Sequence, residues 1–216
     1  MTTDITVERL ARAIESATLD IDEHGRRIAV SLWNLLADGS AATSADVAAH
    51  SGVDESVVDE RLATWPGIFR DEEGRIVGFW GLAIPEMAHR FYAAGGMPIY
   101  AWCALDPLLI VPVIGRRARV KSKDPLTGEG IELTVTPNEI LEVSPVATVV
   151  TFLIPDKPFD RDVIQTFCNF VHYFASPDSA ERWASRREGI AILPMHEAFE
   201  VGKSAWRRFR QPVQER

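Results

Sequence analysis

The sequence is poor in cysteine: its 216 residues hold two, Cys103 and Cys168. No CxxC pair or spaced cysteine framework exists, which excludes a disulfide-stapled scaffold. Long apolar runs are missing as well. The longest, from Ala104 to Ile114, is broken by Asp106, Pro107 and Pro112, so nothing approaches the roughly 18 residues of a spanning helix. Positive charge is in deficit, with 23 Lys and Arg against 31 Asp and Glu and a formal charge of −8. A surface that acidic repels phosphate backbones and anionic lipid, so neither nucleic acid nor membrane is expected as a partner. The opening stretch MTTDITVERLARAIES carries acidic residues early and no apolar h-region, so no secretory signal is expected. Repeats, low-complexity tracts and long charge runs are absent too. What is there, 46% hydrophobic, suits a cytoplasmic globular protein with a sizeable core.

Two grammars divide the chain near residue 85. Residues 5–19 and 23–37 read as amphipathic helices, the second carrying Ile28, Leu32, Leu35 and Leu36 at helical spacing and stopped by Gly39. Thr43 or Ser44 caps a short helix, Gly52 turns the chain, and Asp54 caps a helix whose inner face is Val57, Val58 and Leu62. GIFRDEEGRIVGFWGLAI then reads as two short strands joined by a turn at Asp71 to Gly74. That order is winged-helix-like and defines a first domain over 1–84. Over 85–216, β-type runs at 117–122, 131–136 and 147–154 alternate with the turn-rich stretches DPLTGEG and TPNE. A strongly apolar helix is predicted over 160–175, a helix capped by Ser176-Pro177 follows, and a last helix runs from Met195 to Phe209. The expected fold class is α+β: a winged-helix-like helical domain, then a domain with a small mixed sheet covered by helices.

Charge argues against DNA binding by the helix-turn-helix. The would-be recognition helix carries Asp54, Glu55, Asp59 and Glu60, with Arg61 as its one base, and the hairpin tip is Asp71-Glu72-Glu73. Carboxylates there oppose approach to phosphate. A scaffold or lid is the expected role.

The chemistry-bearing stretch is Tyr100-Ala101-Trp102-Cys103-Ala104-Leu105-Asp106-Pro107. Pro107 suits a first helical turn, so Asp106 caps that helix or stands one residue inside it. Either way it lies three positions after Cys103, a spacing that sets thiol and carboxylate side by side in a turn or helix. Alone, Asp106 reads as a cap and Cys103 as a small buried apolar residue. Cys168 adds a second thiol, within the apolar run QTFCNFVHYFAS, where His172 would share its helical face. Cys103, Asp106 and Cys168 permit three chemistries. Zinc would need His172 or His196 as further ligands, without compact ligand spacing. A nucleophilic cysteine would need a histidine base. A soft thiophilic metal would need only two thiolates, with a carboxylate nearby as proton carrier.

YAWCALD with the apolar run and Gly115-Arg116 behind it, then LTVTPNEI, QTFCNFVHYFAS, SAERWAS and Met195-His196-Glu197-Ala198-Phe199, resembles the alkylmercury lyases (organomercurial lyases). The similarity spans about residues 99–201 and makes 85–216 the catalytic domain. It implies that Cys103 and Cys168 are the paired catalytic cysteines and Asp106 the catalytic aspartate, the three that meet substrate or product mercury. Some family members carry extra cysteines where this chain has Asn169 and Lys123 or Asp124. The resemblance further implies protonolysis of a carbon–mercury bond to a hydrocarbon and Hg(II), in mercury detoxification. No resident cofactor is implied; low-molecular-weight thiols support turnover, and cellular thiols or mercuric reductase accept the Hg(II). Tyr100, Trp102, Phe167, Phe170, Tyr173 and Phe174 are candidates to line a pocket for the organic group, or ordinary core. The alternative function is a thiol-based metal-responsive transcriptional regulator, which would need the basic recognition helix this sequence lacks.

Overall fold

Thr6, Asp22 and Thr43 each open a helix by accepting a backbone N–H from the first turn, as short polar side chains do at an N-cap. The computed structural model of the protein describes residues 5–210. Residues 1–4 and 211–216, at the outer ends of the two expected domains, lie outside the described residues. Helix α1 spans Val7–Ala17, α2 Glu23–Ala37, α3 Ser44–Ser51 and α4 Glu55–Thr64. Thr43 is the cap of α3, in a reciprocal box with Asp46. Asp54 precedes α4 but makes no capping bond, contrary to expectation.

The segment expected as two strands forms three: β1 (Ile68–Arg70), β2 (Ile76–Phe79) and β3 (Leu82–Ala83). The chain folds back at Trp80-Gly81 because both residues take positive φ, +31° and +98°. After β4 (His89–Ala93) and β5 (Ile99–Ala101) comes α5 (Asp106–Ile114), buried on nearly every side. Strands β6 (Ala118–Lys123), β7 (Gly130–Val135), β8 (Ile140–Ser144) and β9 (Val149–Leu153) follow. Next are α6 (Val163–Thr166), a 3₁₀ turn at Cys168–Phe170, β10 (Tyr173–Phe174) and α7 (Pro177–Ala184). The described chain closes with β11 (Ile190–Pro194), α8 (Met195–Ala205) and a 3₁₀ turn at Arg207–Arg210, so the last helix stops short of Phe209.

The α+β class holds, but the sheet is neither small nor mixed. Eight strands in the order β1-β2-β3-β5-β4-β6-β7-β8 pair antiparallel throughout, and β10-β9-β11 form a second antiparallel sheet. Consecutive strands joined by tight turns favour that pairing over crossovers. The β3–β5 pairing, Leu82↔Ala101 and Ala83↔Tyr100, joins the first hairpin to the strands beyond residue 85. One hydrophobic cluster runs from Ile5 through Trp33, Leu82 and Cys103 to Phe209. Among the described residues no helix is long and apolar enough to cross a membrane.

The helix predicted over 160–175 does not form. Its sequence is apolar all round and lacks a helical period, so tertiary partners decide its shape. The Phe170 carbonyl and His172 N–H bond to Thr151 Oγ1, the Val171 carbonyl accepts from Ala104 N–H, and Tyr173 and Phe174 pair with Val150 and Val149. The backbone is satisfied by β9 and by the Cys103 turn instead of by itself.

Candidate active site

Strand β5 delivers Cys103 into the turn before α5, and α5 begins one residue ahead of Pro107 with Asp106. Asp106 therefore stands one residue inside the helix. Its Oδ2 reaches back to accept the Cys103 N–H at 2.6 Å. The spacing of three legible in the sequence thus becomes a direct contact. Cys168 arrives from the far side of the chain, in the 3₁₀ turn after α6. The Ala104 N–H to Val171 carbonyl bond, 3.1 Å, staples that turn to the Cys103 loop. The two thiols come close enough for each to shift the other's titration. Both are free and buried.

Burial dominates the electrostatics. Asp106 is 7% exposed, and desolvation pushes its carboxyl up to about 7 against the lowering pull of the Cys103 N–H, the Cys103 thiol and the Trp102 N–H. Burial, the neighbouring Cys168 sulfur and the Asp106 charge push the Cys103 thiol well above its usual value. The Cys103 thiol pulls Cys168 down, but burial and Asp106 outweigh that pull and the direction for Cys168 is also up. The site rests as two protonated thiols beside a carboxyl that titrates near neutrality.

A cavity of about 30 Å³ opens onto Cys168 and Asp106, walled by Trp80, Trp102, Phe159 and Phe167 among others. Cys103 is buried and is not part of its wall. Of the aromatics named from sequence, Trp102 and Phe167 line this cavity; Tyr100, Phe170, Tyr173 and Phe174 do not. Trp80 and Phe159 were missed. The signal for Trp80 was a Trp-Gly pair inside a β-type run, where only a turn explains the glycine. Gly81 is required for a second reason: a Cβ there would stand 2.6 Å from Asp106 Oδ1, so the carboxylate lies against bare backbone.

Neither histidine proposed for zinc lines the cavity. His172 does not share a helical face with Cys168; its Nε2 donates to the Asn169 carbonyl at 2.8 Å and its ring sits edge-on to Trp183. His196 is 80% exposed on α8 beside Glu197. Among the described residues no three His, Cys, Asp or Glu side chains converge as a metal cage. Asp124 accepts from the N–H groups of Leu126, Thr127 and Ala175, tying the β6–β7 turn to the strand that follows Cys168. Asn169 donates to Gln165.

The chain is similar to known proteins. The alkylmercury lyase family model matches residues 82–207. An alkylmercury lyase of Staphylococcus epidermidis is 37% identical over 180 residues, 83% of this chain and 82% of that protein. One from Bacillus cereus is 38% identical over 181 residues, 83% and 81% of the two chains. The crystal structure of the mercury-bound form of MerB2 shares the fold, with a TM-score of 0.73 at 23% identity, covering 94% of this chain and all of that one. A thiol pair and a carboxylate joined at the mouth of an apolar cavity, on a chain matched along most of its length, place this protein in the alkylmercury lyase family.

Proposed function

We propose that the protein cleaves organomercurials by protonolysis, with Cys168, Cys103 and Asp106 acting in that order. The observation that carries this reading is Cys168 and Asp106 in the wall of one cavity, with Asp106 bonded to the Cys103 backbone. Soft thiolate is the fitting ligand for soft mercury, and Hg(II) is content with two of them. A free thiol of pKa about 8.5 is only about 3% thiolate at pH 7, and burial pushes both of these further toward the thiol, so they need a base at hand.

Cys168 lines the cavity and meets the substrate first. Its sulfur displaces the thiolate R′S⁻ already on mercury, and its proton leaves as R′SH. Cys103 then binds the metal while its proton passes to Asp106. Two sulfur ligands push electron density onto carbon, Asp106 returns the proton to that carbon, and the hydrocarbon RH departs with Hg(II) left between the two sulfurs. Asp106 is the general acid–base; its raised pKa makes the protonated form available at neutral pH. Exchange with two external thiols, free or on a reductase, releases the Hg(II) and restores both cysteine protons.

Phenylmercury acetate with excess thiol is expected to yield benzene catalytically. Because Asp106 must begin as carboxylate to accept the Cys103 proton, kcat/KM is expected to fall as pH drops through about 7. Benzene release measured from pH 5 to 9 checks both points. No benzene, or a flat profile from pH 5 to 8, would overturn the scheme.

The first four helices and the β1–β2 hairpin follow winged-helix order and serve as scaffold. Asp54, Glu55, Asp59 and Glu60 are exposed on and before α4, and the one base, Arg61, is paired with Asp22 at 2.6 Å. At the hairpin tip Arg75 is held by Asp71 and Glu73. No sequence-selective DNA binding is expected at physiological salt. A tight, selective gel shift would favour the regulator reading instead.

A further inference from the structure

The two-residue connection between β2 and β3 has positive φ at both Trp80 and Gly81. That pair of signs is what a type I′ hairpin demands, and Asn-Gly is its usual sequence. A bulky residue at positive φ is an outlier that the surrounding structure must enforce. Here the enforcement is dense. Trp80 Nε1 donates to the Pro66 carbonyl at 2.7 Å, and the Trp80 carbonyl accepts from Trp33 Nε1 at 3.1 Å. The Gly67 backbone lies against the indole so closely that a Cβ would stand 3.0 Å from Cδ1 and Nε1. Phe159 closes the other side, ring centroids 6.1 Å apart.

This clamped indole is a wall of the cavity that holds Cys168 and Asp106. The next residue, Gly81, is the one against which the Asp106 carboxylate rests. One strained turn therefore fixes the distance between the wall and the proton donor. The cavity, about 30 Å³, is tight, so the residues of its wall decide how large an organic group fits. Trp80 also stands outside the residues 82–207 matched by the family model.

We infer that Trp80 is a specificity-determining residue, the wall that sets the size of the organic group on mercury that the site accepts. The inference rests on the cleavage reading above. It also gives the first hairpin a part in catalysis, since Pro66 and Gly67 hold the indole in place.

The test compares methylmercury and phenylmercury as substrates of the wild type, Trp80→Phe and Trp80→Ala. The ratio of kcat/KM for phenylmercury to that for methylmercury is expected to rise at least about tenfold in Trp80→Ala, with Trp80→Phe between. Because the ratio is taken within each variant, loss of folded protein cancels. Should Trp80→Ala fail to fold, the rise in Trp80→Phe decides. A ratio unchanged within about twofold in the folded variants would overturn the inference. Uptake of each organomercurial onto Cys168, followed by protein mass, gives the same ratio without cleavage. A failed lyase reading and a failed Trp80 reading are thereby distinguished.

Discussion

Cys168→Ser and Cys103→Ser are each expected to end carbon–mercury cleavage, with losses of at least about 10³-fold, but to leave different species behind. A serine hydroxyl is a hard, barely acidic ligand that neither captures mercury nor pushes electron density through it. In Cys103→Ser the cavity still presents Cys168, so the organomercurial is expected to displace its own thiol and stay on the protein, intact and in one-to-one ratio. In Cys168→Ser the remaining thiol is Cys103, 1% exposed and not part of the cavity wall, so uptake itself is expected to be slow. Protein mass spectra after brief incubation with phenylmercury distinguish the two. Exchanging a buried sulfur for a hydroxyl costs about 1–3 kcal/mol, so activity must be normalised to folded protein. Near-wild-type turnover in either variant would sink the dithiolate mechanism. Equal, fast uptake by both would overturn the assignment of Cys168 as the first sulfur.

How much of this was visible in the residues alone depended on the range of the contacts involved. Cys103 and Asp106 are three apart in a turn that Pro107 announces, and local sequence suffices for such a pair. Cys168 is joined to them by the Ala104–Val171 bond and by β9, contacts between distant segments that no window of sequence contains. Composition singled out Cys168 as the second thiol, and the resemblance supplied its pairing with Cys103; periodicity placed it, wrongly, on a helix with His172. The same limit explains the sheet. Short strands such as β4, β5 and β10 take their shape from neighbours in space, and an apolar run like FCNFVHYFA satisfies a buried strand as well as a buried helix. Helix starts depend on caps that act within four residues: Thr43, one of the two residues expected to cap α3, does so, while Asp54 makes no such bond before α4. Trp80 and Phe159 belong to the cavity only because three segments converge there, one of them pinned by the Phe159 N–H to Ala17 carbonyl bond.

Asp106→Asn separates the two roles that the sequence left open, helix start and proton carrier. Asn accepts the Cys103 N–H through its amide oxygen and is as good as Asp near a helix N-terminus, so the local turn is expected to survive. It can neither take the Cys103 proton nor deliver one to carbon. Loss of a general acid–base group typically removes about 10²- to 10⁴-fold in rate, and a fall in benzene release of at least that order is expected. One Hg(II) per chain is still expected to bind, because Cys103 and Cys168 remain. Stability gives an independent readout with a definite sign. The Asp106 carboxyl sits at about 7 in the fold and at 3.8 when free, so the folded state holds the proton more tightly. Between these values the native chain binds more protons than the unfolded one, and stability falls as pH rises from about 4 to 7, then levels off. Asn removes that titration. The melting temperature of Asp106→Asn relative to wild type is therefore expected to climb from pH 5 to pH 8, even as activity is lost throughout. If the variant keeps wild-type turnover per folded molecule while its melting temperature drops at every pH, Asp106 is a structural helix-start residue and the proton reaches carbon by another route.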